Sequence, residues 1–387
     1  MTRIEHLTES GLLARITPGL AQGSDVELGP GDDAAVVRLA SPRLVITTDT
    51  LTEGHDFLMD ATRPEWIGRK AAVQNLADVA AMGARPQAVV VSVSAPRSTP
   101  AGLLEGISRG LAARCAREGV SVVGGDLGAA DALSITVTAV GAIPEAQEPV
   151  RRDGARAGQV LALGSPLIGR SAAGLALVLT GMGEELVQDH AADGADGDVG
   201  PDGDGGTDRG VGPDGDIGPD GADGAGRGRG VDTSPAALVA WHDAPDPEVS
   251  LGWTVCPGRA RSMLDVSDGL VRDGGRIARA SGVVLDLDRA VLEADAAALA
   301  PTAELLARRA DGIAEGSVGP DPTGRPHPWA WVLGGGEEHA LLATFDPGDV
   351  PAGFRRIGRV RALAPREEPG VLLDGSALGD LGFDHFG

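Results

Sequence analysis

Two periods alternate along this chain. Behind Thr8, a capping residue, Leu12, Leu13 and Ile16 form a short helical stripe. Residues 34–39 and 44–47 are rich in apolar and β-branched side chains. Ser41-Pro42-Arg43 separates them, so a hairpin is predicted. Pro64 opens a longer helix that runs to about residue 81. Its apolar face is Trp66, Val73, Leu76 and Ala80, at spacings of seven, three and four. Asp78 points away from that stripe, with Gln74 and Asn75 as neighbours. Read alone, this is a solvated face. The segment is nevertheless rich in Ala, and Lys70 is its only long cation beyond the first turn, which suits a polar cavity. Strands are predicted at 88–94, 120–123 and 133–143, with a helix at 103–118.

Residues 144–149 read as a linker, dividing the chain into domains at 1–145 and 150–387. Beyond it, strands are predicted at 160–163, 262–266, 283–287 and 340–344. Helices are predicted at 175–179, 235–241, 268–280 and 292–310, with a loop at 311–328. Strands interleaved with helices in both parts predict an α/β (α+β) fold of two domains. Residues 191–230 break the pattern. They are almost entirely Gly, Asp, Pro, Ala and Arg, with too few apolar side chains to offset ordering entropy, and read as a disordered acidic insert. Calcium binding by its Asp-Gly texture is disfavoured, because the terminal Glu of an EF-hand loop and a regular nonapeptide are both missing.

Composition narrows the function. The formal charge of −23 argues against sequence-independent nucleic-acid binding, which needs a basic face. Residues 193–232 contribute −8 of it, from eleven Asp against three Arg. Acidic residues also hold cations. Cys115 and Cys256 lie in no CxxC or Cys/His pattern, so buried thiols are expected and a zinc site is not. No secretion signal is evident at the start of the sequence, and no apolar run reaches ~18 residues. The expected location is the cytoplasm, without a membrane span.

Acid residues recur in one local setting. Asp32-Asp33 lie in a Gly-Pro-Gly turn, and Asp49 follows Thr47-Thr48 at the predicted end of a strand. Asp126 follows Gly124-Gly125, Asp265 and Asp268 flank Ser267 before a helix, and Glu337-Glu338 follow three glycines. Any one of these could be a turn cap. Five of them, with Asp78 as a sixth, suggest a shared cation cluster around a nucleoside triphosphate. No GxxxxGK[ST] loop, protein-kinase lysine strand, GxGxxG turn or GxSxG elbow is present. With a single lysine in the chain, metals and Arg side chains must neutralise the phosphates.

The motifs GDDAAV, TTDTLTEGHDF, KAAVQNLADVAAMGA, GGD, SAAG, LDVSDGL, GGGEE and the terminal GFDHF occur in the order seen in thiamine-monophosphate kinases. The sequence resembles that family over both domains, omitting only the acidic insert, and several motifs are shared with the wider aminoimidazole-ribonucleotide-synthetase-like superfamily. The resemblance implies an N-terminal domain that pairs two subunits, with ATP and substrate lying between the domains. It implies transfer of phosphate from ATP to thiamine monophosphate, assisted by several Mg²⁺ ions. Carried over by position, it places metal ligands at Asp33, Thr47, Thr48, Asp49, Asp78, Asp126, Asp265 and Asp268. ATP contacts fall at Gly125, Asp126, Arg152 and Ser267, and substrate contacts near Asp56, Glu337 and Phe383. The chain departs from the family in places. Asp56 stands where a His usually precedes Phe, with His55 one residue earlier. Leu127-Gly128-Ala129 replaces Thr-Thr-Arg, and an Arg-Pro-x-Pro-Arg element is reduced to residues 244–248. GGEDY becomes Gly335-Gly336-Glu337-Glu338-His339. A different ATP-dependent synthetase of the superfamily, or a weakened nucleotide-binding regulator, remains an alternative.

Overall fold

The computed structural model describes residues 2–31, 34–192, 231–310, 327–378 and 381–382. The first half contains α1 (Glu9–Ile16), β1 (Val26–Leu28), β2 (Val36–Val37), β3 (Leu44–Thr52) and α2 (Pro64–Ala81). It continues through β4 (Arg85–Ala95), α3 (Ala101–Arg117), β5 (Ser121–Ala129) and β6 (Ser134–Ala142). Strands β3, β6, β4 and β5 form a sheet in that order. The predicted hairpin does not form. β2 pairs with β1 in a separate two-stranded ribbon, while β3 pairs with β6 over nine residues. The long register outweighs a two-residue local pairing, because it buries Leu51 and directs alternate side chains toward α2.

The second half contains β7 (Val160–Leu163), α4 (Arg170–Leu177), α5 (Gly183–Ala192), α6 (Pro235–Asp243), α7 (Leu251–Thr254), β8 (Ser262–Asp265) and α8 (Leu270–Ser281). It ends with β9 (Val284–Leu287), α9 (Arg289–Ala310), α10 (Pro328–Gly334), β10 (Leu341–Phe345), β11 (Arg355–Arg361), β12 (Gly370–Leu373) and β13 (Ser376–Ala377). The sheet order is β13-β12-β9-β11-β7-β10-β8, and β12 runs parallel to β9. The last three strands were not predicted. β11 carries four arginines, Arg355, Arg356, Arg359 and Arg361, which mask its alternation. The insert at 193–230 and the predicted loop at 311–326 lie outside the described residues.

The two faces of the seven-stranded sheet serve different cores. Leu161, Leu163, Leu264 and Leu342 pack with residues of α4, α6, α8 and α9. Val160, Ala162, Met263, Ala343 and Phe345 pack with α2, α3 and the four-stranded sheet. Helix α2 therefore lies between two sheets, and thirteen of its eighteen residues are buried, on all sides. Glycines permit the close approach. A Cβ at Gly68 would lie 2.0 Å from the carbonyl oxygen of Ile107, and one at Gly110 would lie 1.8 Å from that of Glu65. Both cysteines are free and buried, as expected. Among the described residues, no helix is long and apolar enough to cross a membrane.

The α2–α3 contact should be intolerant of even one methyl group. Gly110→Ala is expected to lower unfolding free energy by about 1–3 kcal/mol, the usual range for overpacking, measured by urea denaturation. An unchanged midpoint would mean that the helices separate at no cost.

Candidate active site

The site is built from one face of β3 and the side of α2. Strand β3 continues to Thr52, so Asp49 sits mid-strand rather than at a strand end. Alternation directs Val45, Thr47, Asp49 and Leu51 toward α2. Asp78, in the last turn of α2, meets them there: Thr47 Oγ1 donates to Asp78 Oδ2 at 2.7 Å. The Asp49 and Asp78 carboxyls influence each other electrostatically across this wall. Burial, then the charge of Asp265, pushes the Asp78 carboxyl up to about 7. Burial raises Asp49 as well, opposed by His339 and reinforced by Asp265. Burial and the neighbouring carboxylates thus favour the protonated form of both acids.

The second half supplies the facing wall. β8 ends at Asp265, and the backbone then turns so that Ser267, Asp268 and Gly269 donate their N–H groups to Asp273 Oδ2, at 3.0, 2.8 and 3.1 Å. This fixes the LDVSDGL loop from within. Helix α8 begins at Leu270, one residue after Gly269 at φ 114°, so Asp268 precedes the helix instead of lying in its first turn. The Arg276 guanidinium pairs with both Asp268 and Asp273. His339 is buried at φ 52°, with Nδ1 3.0 Å from Asp265 Oδ2, and its Nε2 has no partner.

The wall at the other end is polar and almost dry. Lys70 Nζ lies 2.7 Å from Glu337 Oε1 and donates to the Asp56 carbonyl at 2.8 Å. The Glu337 side chain is 27% exposed and lines the cavity. Burial opposes its ionisation, but the Lys70 charge and hydrogen bond outweigh burial and hold its pKa below the usual value. His242 Nδ1 lies 3.3 Å from Glu337 and 3.0 Å from Ser171 Oγ. Burial, with the Lys70 charge, pushes its imidazole down to about 4, so it is neutral. Asp243 beside it is buried, with Oδ2 unpartnered. Between these walls lies a cavity of about 580 Å³, lined also by residues 54–58, Trp331 and residues 334–336.

The structure therefore brings together Asp49, Asp78, Asp265, Ser267, Asp268, Asp56 and Glu337 around one cavity, with Thr47 bonded to Asp78 behind it. The Asp56 carboxylate is turned back, accepting from the Thr52 N–H at 2.6 Å, while exposed His55 lines the cavity. Thr48 and Asp126 lie on the opposite face of the four-stranded sheet. Thr48 bonds Thr138 and the Val137 carbonyl, and Asp126 pairs in register with Ser92 within β5. The GGD motif is thus mid-strand rather than at a strand terminus. Gly125 has a packing reason of its own, since a Cβ there would lie 2.0 Å from the Val91 carbonyl oxygen. Arg152 is exposed on a short turn, its carbonyl accepting from Ser281 Oγ. Asp33 and Phe383 lie outside the described residues. Sequence reasoning missed Lys70, His242, Asp243, His339 and Arg276. Only Lys70 left a signal, as a lone long cation in an Ala-rich helix.

Burial pushes the Asp243 carboxyl up to about 7, only partly offset by Lys70. Its folded pKa lies above the ordinary carboxyl value of 3.8. It therefore contributes stability at low pH that is lost as pH rises through about 7. Asp243→Asn cannot ionise, so its melting temperature should fall less than the wild type's between about pH 4 and 7. Equal slopes in differential scanning fluorimetry would place the titration elsewhere.

Residues 31–143 match the family model "AIR synthase related protein, N-terminal domain". The thiamine-monophosphate kinase of Mycobacterium tuberculosis is 37% identical over 385 residues, covering 99% of this chain and 93% of the relative. A solved structure described as AaThiL complexed with AMPPCP and TMP superposes with a TM-score of 0.64 at 25% identity, covering 100% of this chain and 99% of that one. The thiamine-monophosphate kinase structure from Stenotrophomonas maltophilia gives 0.65 at 28%, covering 96% and 98%. Both walls of the cavity fall within these matched lengths, and by sequence and fold alike the chain belongs to the thiamine-monophosphate kinase family.

Proposed function

We propose that this chain transfers the γ-phosphate of ATP directly, in line, to thiamine monophosphate, giving thiamine diphosphate with Mg²⁺ assistance. The observation that carries this reading is the cavity with a carboxylate row at one end and the Glu337–Lys70 wall at the other. The relative solved with AMPPCP and TMP supports two ligands on this scaffold.

The residues fit a divalent cation. Asp49 and Asp78 face Asp265 in a buried wall, where burial and mutual charge raise both of their pKa values. Among the described residues, no three His, Cys, Asp or Glu side chains gather tightly enough to enclose an ion unaided. The chain thus offers separate oxygens to be bridged, as a metal–polyphosphate complex would do. Asp49, Asp78, Asp265 and Asp268 are the ligands proposed here. Thr47 orients Asp78, His339 orients Asp265, and Arg276 neutralises Asp268 until a cation replaces it. When bound, Mg²⁺ would withdraw charge from the phosphates during transfer. The acceptor oxygen belongs to a phosphate and is already anionic, so the chain needs no general base. Its own work is to hold two anions in line and exclude water.

Purified protein should release ADP only with thiamine monophosphate and Mg²⁺ both present. Asp49→Asn should lower turnover by at least about 100-fold, a typical cost for losing a charge-stabilising group. ATP binding without thiamine monophosphate turnover would overturn the kinase assignment. ADP release together with inorganic phosphate from an amide or acyl substrate would favour the synthetase alternative.

The open face of the four-stranded sheet supports pairing of two copies. Leu44, Ile46 and Val90 are exposed on strands β3 and β4, where a solvated sheet would carry charges. Their neighbours are the hydroxyl pairs Thr48–Thr138 and Thr50–Thr136, which suit an isologous contact. We propose a homodimer across this face, formed by the domain at 1–145, with 150–387 as the second domain. Ile46→Glu should halve the mass measured by light scattering. A wild-type monomer at micromolar concentration would refute the pairing.

A further inference from the structure

Lys70 is the chain's only lysine, and its side chain is fully buried. It leaves α2 at the midpoint between the two sheets. Its ammonium makes two strong contacts: one to Glu337 Oε1 at 2.7 Å and one to the Asp56 carbonyl at 2.8 Å. These partners come from different halves of the chain. Asp56 lies in the loop after β3, and Glu337 lies in the loop between α10 and β10. Both loops line the cavity.

The surroundings make this contact selective. A buried ammonium is costly to desolvate and needs a charged partner. His242 and Asp243 flank it from α6. Both are driven toward their neutral forms by burial. Glu337 is therefore the carboxylate that balances the charge, and Lys70 in turn keeps Glu337 ionised. The Asp56 carboxylate is occupied by the Thr52 N–H, which leaves its carbonyl as the loop's handle. Glu337 is held in a left-handed backbone conformation, φ 56°, and its N–H donates to the Ser267 carbonyl at 2.7 Å. A side chain on such a constrained backbone has few alternative directions.

We propose that Lys70 is a positioning residue: one ammonium clamps Glu337 and the loop at 54–57 together and so builds the substrate end of the cavity. It touches no reacting atom. It acts through Glu337 and that loop, and the inference rests on the reading that they face thiamine monophosphate. An Arg is not equivalent, because a guanidinium presents its donors in a planar fork, whereas here one compact ammonium meets both acceptors.

Three measurements on the full chain test this. The first needs no substrate. Because Lys70 is the only ε-amine, an N-hydroxysuccinimide ester can label only it and the terminal amine. Intact mass should show one adduct forming quickly and the second only after denaturation. Rapid addition of two labels to folded protein would overturn the clamp, whatever the enzyme's substrate. The second is the kinetics of Lys70→Met and Lys70→Arg. In both, the KM for thiamine monophosphate should rise about tenfold or more, with kcat within about threefold and the KM for ATP unchanged, the pattern of lost ground-state binding. Equal changes for both substrates, or none, would overturn the proposal. If Lys70→Met fails to fold, Lys70→Met/Glu337→Gln removes both charges, and the same KM split is expected of it. The third separates the two readings. If wild-type protein turns over no thiamine monophosphate, the kinase reading fails, while rapid labelling of Lys70 in the folded protein would still overturn the clamp.

Discussion

The packing of α2 between two sheets is the constraint on which the structure depends. An ordinary surface helix buries one stripe and solvates the rest. This one has no solvated side, so every polar residue on it must find a partner or face a cavity. Asp78, Gln74 and Lys70 lie at successive turns along one side, and Asp78 and Gln74 line the cavity, with Lys70 bonded behind Glu337. The helix can approach so closely because Gly68 meets α3 without a side chain, as Gly252 meets the carbonyl of Ala80 on its other flank. Small residues thus set the spacing of the sheets, and the spacing sets the cavity.

Electrostatics then divides the cavity into two ends. At one, Asp49, Asp78 and Asp265 repel one another, which with burial raises the pKa values of Asp49 and Asp78, and His339 bonds Asp265. At the other, Lys70 and Glu337 cancel while burial favours the neutral forms of His242 and Asp243. The first end is short of positive charge and the second is balanced. That asymmetry suits a ligand pair in which the polyphosphate arrives with its own cations and the organic part does not.

Much of this was legible in the sequence, and the parts that were not share a physical cause. Helix α2 was readable because Pro64 marks its first turn and the Ala-rich run its approximate length. Strand β7 was readable because it is short, apolar and bounded by glycines. Asp49 and Asp126 were found as acids next to glycine or threonine. Their grammar is the same, yet they lie on opposite faces of one sheet, because each side-chain direction is set by strand register and not by local sequence. Lys70 and Glu337 are 267 positions apart. No local pattern announces a pair whose meaning exists only once two halves close on one helix.

The departures from the family pattern also acquire a physical setting. Leu127-Gly128-Ala129 continues β5 in parallel register with Val93, Ser94 and Ala95, so this segment is sheet and not a phosphate-holding loop. Residues 244–248 run past the end of α3, where Asp246 pairs with Arg117 and the Pro247 carbonyl accepts from Arg114. There the arginines sit on α3 and the acid on the incoming chain, which reverses the polarity of an Arg-rich element and makes it an interdomain tether. Neither segment can then supply positive charge to a phosphate in the cavity. On the proposed reading, that charge must come from the cations bound by Asp49, Asp78, Asp265 and Asp268, with Arg276 released from Asp268 as they bind. On that reading, a chain with one buried lysine and a strongly negative total leaves the neutralisation of its substrates to the metal rather than to its own side chains.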